Sequence, residues 1–527
     1  MSTPETPRVV VAGAGAGGLV SALLLACKGL DVTLVDPAPE PGGKMRALSV
    51  NGAAVDAGPT VFTMRWVFDE ILAEAGSSVD ELVSLQPLSV LARHAWRGQT
   101  DTLDLYADVQ RSADAIAAWS SPAESRRFLA FCDEAARIYR RLESPHIRSS
   151  RPSFWQMVAD LGVPGLRELA ALGPFASLWR TLGRHFQDPR LLQLFGRYAT
   201  YCGASPWQAP ATLMLVAHVE MEGVWSVQGG MAHLARQLAG LSAQRGVRFR
   251  QGCSVNQLRL EGGKLRGVQL DTGEVLPADA LVFNGDVNAL ALGALGPQAA
   301  AAVGPTMPLQ QHSLSAVTWA MNVRTQGFPL TRHNVFFDAD YRSEFDDVFR
   351  RRRLPGRGTV YVCAQDRLHD GVDAPAGPER LLALVNAPAQ RAGEPLSLWE
   401  IDTCEQRSRA LLQACGLELE ISKPVQMRRR TPEDFASLFP GSGGGLYGPA
   451  THGWMSLFRR SGARTALPGL YLAGGSVHPG PGVPMAAMSG RLAAATLMED
   501  LASTRRSSRV HIAGGTWTPS ATTAATP

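Results

Sequence analysis

Close to the N-terminus the chain carries an uninterrupted apolar run, Val9-Val10-Val11-Ala12, the pattern of a strand buried on both faces of a parallel sheet. A glycine-rich turn follows. Leu19 to Lys28, almost entirely Leu, Val and Ala, then predicts a buried helix that Gly29 stops, and Val32 to Asp36 supplies the next strand. Strand, helix and strand together make a βαβ unit.

Further along, Ala232 to Gln244 predicts a second helix, followed by strand-like pieces at 247–249, 252–258, 267–270 and 280–283. Asp271-Thr272-Gly273-Glu274 sits among these pieces as a hairpin signal. Near the C-terminus another short apolar strand, Leu470-Tyr471-Leu472, runs into the glycine- and proline-rich turn Gly474 to Met485. These patterns predict a nucleotide-binding domain that is discontinuous in sequence, built from 1–95, 223–299 and 465–502. Residues 96–222 and 300–464 are left for a second domain. Between Phe154 and Trp207, Trp155, Phe175, Trp179, Phe186, Phe195, Tyr198 and Tyr201 lie among many Leu and Ala, the composition of a core. The stretch 503–527, rich in Ser, Thr, Arg and Ala, predicts a disordered tail.

Length and composition agree with this plan. With 527 residues and 45% hydrophobic content the chain can build two or three cores. Lys and Arg number 51 against 47 Asp and Glu, so the global field of a nucleic-acid binder is absent and no nucleic-acid partner is expected. The basic clusters at 350–353, 428–430 and 505–509 read first as solvated surface and second as contacts for anionic lipid. The 7 cysteines form no C-x-x-C pair, which suits free thiols in a reducing compartment. The first residues lack a basic, apolar leader, and no run of 18 apolar residues occurs, so a cytoplasmic protein without a membrane span is expected. The 11 histidines show no metal-ligand spacing, and no G-x-S-x-G elbow is present.

Chemistry enters at Gly13-x-Gly15-x-x-Gly18. The first glycine permits the turn, the second admits a pyrophosphate, and the third lets helix and strand pack closely. The helix N-terminus then offers free N–H groups and a favourable dipole to phosphate. An acid for ribose hydroxyls is required some 20 residues on, and Asp36 stands 18 residues beyond Gly18 at the end of the second strand.

Two further segments, Pro41-Gly42-Gly43-Lys44-Met45-Arg46 and Val55-Asp56-Ala57-Gly58-Pro59-Thr60, have no use in a simple nicotinamide dehydrogenase. Here the chain resembles the flavin amine oxidase and carotenoid desaturase superfamily. With His333-Asn334-Val335-Phe336-Phe337, Tyr341, Glu344-Phe345 and the turn Gly475 to Met485, it is similar to the bacterial-type phytoene desaturase family from about residue 8 to about residue 500. Gly42 to Arg46 and the stretch Thr431-Pro432-Glu433-Asp434-Phe435 to Gly445 look most like the 1-hydroxycarotenoid (methoxyneurosporene) 3,4-desaturases of purple bacteria.

The resemblance implies an α/β fold: a Rossmann-like FAD-binding domain with an inserted α+β substrate-binding domain. It implies FAD held by Gly13, Ala14, Gly15, Gly18 and Asp36 on the ADP half, by Gly43 and Lys44 near the pyrophosphate and flavin, and by Gly58, Pro59 and Thr60. The backbone of Val255 would meet the adenine, and Gly475, Ser476, Val483, Pro484 and Met485 the pyrophosphate and isoalloxazine. The implied reaction removes two hydrogens from adjacent saturated carbons at the end of a polyene, with flavin N5 as hydride acceptor. The implied partners are a carotenoid, a membrane surface met peripherally at the inner (photosynthetic) membrane, and oxygen or a quinone as electron acceptor. A homo-oligomer is compatible with this. His478 is the candidate proton acceptor, against the plainer reading of a histidine satisfied by backbone carbonyls. An ionisable residue common in phytoene desaturases near Gln156 is missing, which favours a specialised substrate over phytoene. Phytoene or neurosporene desaturation, and a non-catalytic flavin-bearing carotenoid-binding protein, remain the alternatives.

Overall fold

A computed structural model describes residues 6–150, 176–367, 375–390 and 394–509. The N-terminal apolar run becomes the strand Arg8–Ala12 at the centre of a five-stranded parallel sheet. Its order is Leu470–Leu472, Ala280–Phe283, Arg8–Ala12, Asp31–Asp36, Arg248–Gln251. Side chains alternate across it. Val9 and Val11, with Val32 and Leu34, face the helices Ala16–Cys27, Met231–Gln244 and Val483–Arg509. Val10 and Ala12, with Val35 and Leu281, face a small antiparallel sheet of Val255–Glu261, Lys264–Leu270 and Val275–Pro277. Covering both faces is what turns these strands into continuous apolar runs. The hairpin expected at Asp271 to Glu274 joins two strands of the small sheet, with Gly273 at φ +86°.

The first helix begins at Ala16, three residues before the expected Leu19, and ends at Cys27. Close packing fixes that early start despite two glycines: a Cβ on Gly18 would stand 1.9 Å from the Gly13 carbonyl oxygen. Gly29 closes the helix at φ +82°, with its N–H on Ala26 and that of Leu30 on Leu25.

The second unit is built on an eight-stranded sheet. Along it run Leu417–Glu420, Ser315–Gly327, Glu379–Ala387, Val360–Ala364, His333–Phe337, Val90–Trp96 and Thr102–Tyr106, and Met427–Arg430 also pairs with Ser315–Gly327. Helix Leu398–Ala414 packs on one face, burying Val317, Phe336 and Val362. The helices Val109–Trp119, Pro122–Leu142, Leu178–His185 and Pro189–Gly196 cover the other, over Val335, Phe337 and Tyr361. Phe186, Phe195 and Tyr198 belong to that core, as their composition predicted, whereas Trp179 and Tyr201 are half-buried.

Two boundaries differ from expectation. Val90–Trp96 is a full member of the larger sheet, so a domain break after residue 95 falls inside a strand. The break comes earlier, where Leu85–Pro87 pairs with Trp225–Val227 and the chain both leaves and re-enters the nucleotide-binding unit. The last helix, Val483–Arg509, also continues seven residues into the expected tail, because no Pro or Gly interrupts Ser503 to Arg509. The rest of that tail, 510–527, lies outside the described residues, as do Trp155, Phe175 and the segment Ser153 to Met157. Among the described residues no helix is long and apolar enough to cross a membrane.

Candidate functional site

Three motifs that lie far apart in sequence meet at the C-terminal ends of the parallel strands, where open α/β sheets place their ligands. Gly13, at φ +110°, turns the chain out of the first strand, and Asn284, just beyond the strand Ala280–Phe283, donates from Nδ2 to its carbonyl at 3.1 Å. Gly43 crosses the turn so closely that a Cβ on it would lie 3.0 Å from the Gly15 Cα, and Gly42 donates its N–H to the Ala14 carbonyl at 2.8 Å. From the other end of the chain, Gly474 approaches Gly17: a Cβ on Gly17 would be 2.9 Å from the Gly474 nitrogen. Only glycine fits such crossings.

These residues suit the two phosphates and ribose of FAD. Gly15 is the N-cap of helix Ala16–Cys27, yet no side chain caps it and no acid stands in the first turn, so the leading N–H groups keep their capacity for an anion. Asp36 lies within reach of the same turn. Its Oδ2 accepts from the Ala14 N–H at 2.5 Å and its Oδ1 from the Ala38 N–H at 2.8 Å. Lone pairs remain on both oxygens for ribose hydroxyls. Burial pushes its carboxyl up, against the pull of those two hydrogen bonds and of Arg46. Val255 opens its strand four residues after Gln251, the register partner of Asp36.

Lys44 continues the crossing segment inward. Its Nζ donates to the Leu446 carbonyl at 2.5 Å and lies 5.2 Å from the Phe439 ring centroid. Burial draws its pKa down to about 8, opposed by Asp286. Arg46 stacks on the same ring at 5.2 Å and donates from Nε to the Gly43 carbonyl at 2.6 Å. The stretch from Thr431 thus folds back onto the Gly43 to Arg46 wrap. Gly58 lies beneath it, where a Cβ would meet the Lys44 carbonyl oxygen at 1.9 Å. Pro59 is half-buried beside it, and Thr60 Oγ1 meets the Tyr361 hydroxyl at 2.7 Å. Asp56 of the same motif serves the fold, since its carboxylate accepts from the N–H groups of Met231 at 2.7 Å and Ala232 at 3.3 Å and so caps helix Met231–Gln244.

On the C-terminal side, the Gly475 carbonyl accepts from Arg460 at 3.0 Å and Ser476 Oγ from the Val287 N–H at 3.2 Å. Val483, Pro484 and Met485 form the first turn of the last helix, with Val483 and Met485 packed on the core beside Gly17 and Pro484 buried. His478 is 2% exposed; its Nε2 meets the His146 carbonyl at 2.8 Å and its own N–H donates to Ser461 at 2.9 Å. Burial depresses its pKa to about 4. That is the geometry of a histidine bracing a turn between two backbone segments.

Several site residues carried no recognisable signal in the sequence. Arg460, 9% exposed, holds the carbonyls of Tyr447, Pro449 and Gly475 together. The Tyr361 hydroxyl also meets His333 Nδ1 at 2.7 Å, and the Arg197 guanidinium lies 5.3 Å from the Tyr361 ring centroid. Of these only His333 stood in a segment singled out in the sequence; Asn284 had a hint in its place at the C-terminal end of a parallel strand. Among the described residues no group of His, Cys, Asp and Glu could hold a metal.

Comparison with known proteins identifies relatives of the whole chain. The family model for flavin containing amine oxidoreductase matches residues 16–498. The hydroxyneurosporene desaturase of Rubrivivax gelatinosus is 62% identical over 522 residues, covering 98% of each chain. That of Cereibacter sphaeroides is 44% identical, covering 95% of this chain and 99% of its own. Among solved structures, an oxidoreductase from Methanosarcina mazei shares the fold at a TM-score of 0.59 and 17% identity, over 93% of this chain and 100% of its own.

Proposed function

The chain belongs to the flavin-containing amine oxidoreductase family, and from that premise we propose that it is an FAD-dependent carotenoid desaturase that introduces the C-3,4 double bond into 1-hydroxy- or 1-methoxycarotenoids such as 1-hydroxyneurosporene. The observation that carries the proposal is the 62% identity, over nearly the full length of both chains, to a protein named hydroxyneurosporene desaturase.

In this reading the uncapped N–H groups after Gly15, with Gly13, Ala14 and Gly18, receive the pyrophosphate. Asp36 takes the ribose and the Val255 backbone the adenine. Gly43, Lys44, Gly58, Pro59, Thr60, Gly475, Ser476, Val483, Pro484 and Met485 enclose the inner half of the cofactor. Bound FAD supplies the hydride acceptor. The chain's own contribution is to hold the terminal carbons of the polyene in place and to exclude water. Loss of hydride from a carbon allylic to the polyene leaves a delocalised cation, so release of the neighbouring proton needs no strong base. His478, neutral and tied to the backbone, positions the turn rather than drawing the proton.

Because the substrate dissolves in lipid, the enzyme is placed at the surface of the inner membrane, passing electrons to a quinone or to oxygen. The two discontinuous units are its cofactor and substrate domains, and self-association is compatible with this arrangement.

Anaerobic incubation of the FAD-loaded protein with liposomes carrying 1-hydroxyneurosporene tests the proposal. The expected result is flavin bleaching and a red-shifted pigment with one more double bond. Turnover of phytoene instead moves the reaction to an earlier step, and bleaching by no carotenoid rejects a desaturase.

A further inference from the structure

The sheet and helices of the larger unit enclose an apolar core, yet one polar cluster interrupts it beside the cofactor segment. Arg197, at the start of the 3-10 turn Arg197–Cys202, contributes a guanidinium 5.6 Å from the Tyr201 ring centroid and 5.3 Å from that of Tyr361. Its hydrogen bond to the Tyr201 hydroxyl is long, at 3.4 Å. No carboxylate pairs with it among the described residues; the nearby Glu220 spends its carboxylate on the hydroxyls of Tyr198 and Tyr201. A guanidinium has five N–H donors, and the half-buried Arg197 meets one side-chain acceptor among the described residues, the Tyr201 hydroxyl. Its remaining donors are open to an acceptor from elsewhere.

Arg197, Tyr201 and Glu220 are each half-buried. Beside Arg197 stands Tyr361, whose hydroxyl touches Thr60 Oγ1 at 2.7 Å. Tyr447, near Arg197, follows Leu446, whose carbonyl holds Lys44. The cluster therefore borders the segments 58–60 and 44–46 assigned to the cofactor.

We infer that Arg197, oriented by Tyr201, is the receptor for the oxygen on C-1 of the substrate, and so the residue that selects oxygenated carotenoid ends over hydrocarbon ones. The inference rests on the desaturase reading and deepens it. Its geometry follows from the reaction: the C-1 oxygen is three bonds from C-3, so it lies roughly 4 Å from the bond being oxidised. Whatever reads that oxygen must adjoin the flavin, and this cluster touches Thr60, one of the residues assigned to it. A donor would accommodate both hydroxyl and methoxyl, since each accepts a hydrogen bond and only the hydroxyl donates one. An acceptor such as Glu220 would reject the methyl ether. A carotenoid lacking the oxygen would leave the guanidinium unpaired, the situation in which polar sites discriminate most strongly.

The test compares wild type, Arg197→Met, Arg197→Lys and Tyr201→Phe, each FAD-loaded, against liposomes of 1-hydroxyneurosporene and of neurosporene. The readouts are the ratio of anaerobic flavin-bleaching rates on the two pigments and the flavin retained after gel filtration. The expected result is a wild-type preference for the hydroxylated pigment that falls ten- to a hundred-fold in Arg197→Met, falls less in Tyr201→Phe and is partly restored in Arg197→Lys, with flavin content unchanged. An unchanged ratio in folded Arg197→Met overturns the inference, as does loss of flavin from Arg197→Met and Arg197→Lys alike, which would make Arg197 a cofactor ligand. Those results leave the desaturase reading standing. Wild type that bleaches with no carotenoid removes both.

Discussion

Gly490 in the last helix crosses Gly17 in the first so closely that a Cβ on Gly490 would lie 2.2 Å from the Gly17 carbonyl oxygen. The Ser21 hydroxyl bonds across the same crossing, donating toward the carbonyls of Gly17 at 2.8 Å and Gly490 at 3.0 Å. Two helices more than 460 residues apart are thereby locked over the phosphate turn. Gly490→Ala is expected to cost about 1–3 kcal/mol through overpacking, to lower the thermal midpoint, and to release FAD more readily on gel filtration. A variant with wild-type midpoint and flavin content would show that the crossing relaxes freely.

Lys44 links cofactor binding to pH. Burial holds its pKa near 8 in the cofactor-free chain, below the ordinary lysine value near 10.4. Between those two values the unfolded chain binds the proton and the folded chain does not, so Lys44 makes cofactor-free stability rise with pH across that window. An anionic cofactor reverses the preference by favouring the ammonium, so binding takes up a proton. FAD affinity is therefore expected to fall as pH rises above about 8 in wild type and to lose that dependence in Lys44→Met. Titrations of apoprotein with FAD at pH 7, 8 and 9 measure it; parallel pH profiles in the two proteins would contradict the assignment.

The nucleotide-binding unit was legible in the sequence because its strands are covered on both faces. Burial there leaves unbroken runs such as Val9 to Ala12 and Ala280 to Phe283, and positive-φ turns demand glycines that stand out. The larger sheet was not. Its strand Val90–Trp96 carries Arg93 and His94 in mid-run, the first paired with Asp104 at 2.7 Å and the second bonded to the Leu103 carbonyl at 3.0 Å. Such polar positions look like loop until the partner strand is known. The half-buried Arg197 and the buried Arg460 escaped notice for a related reason, since arginine is ordinarily a surface residue and local pattern does not mark the exception. Glycine spacing pointed to the phosphate turn, and only the tertiary structure showed which distant side chains gather beside it.

Asp56 illustrates a motif residue that acts indirectly. Its carboxylate accepts from the N–H groups of Met231 and Ala232 at the positive end of helix Met231–Gln244, while its backbone pairs with the Gln365 amide at 3.0 and 2.8 Å. It thus ties the cofactor segment to both units. Asp56→Ala is expected to cost about 1–2 kcal/mol as a lost cap, and Asp56→Asn less, because an amide oxygen still accepts. Urea unfolding of the three proteins gives the order; an equal loss in both variants would mean that charge, not capping, is what matters.

Buried neutral histidines set the acid limit of the fold. Burial depresses His94 and His478 to about 4 and His146 and His333 to about 3, and all four are 6% exposed or less. In the unfolded chain each titrates near 6.5. Below that value the unfolded state binds protons that the folded state refuses, so stability falls as pH drops, by up to about 1.4 kcal/mol per histidine per pH unit. Four such groups exceed the margin of an ordinary domain before pH 4 is reached. Thermal midpoints are therefore expected to hold between pH 8 and 7 and then to drop steeply from pH 6 to 5, with unfolding before pH 4. His94→Asn and His333→Asn would each cost stability at pH 7 yet flatten the acid limb, because the group that protonates on unfolding is gone. A midpoint that stays level from pH 7 to 4.5 would show that these imidazoles find partners when charged, and that the burial seen around them is not what keeps them neutral.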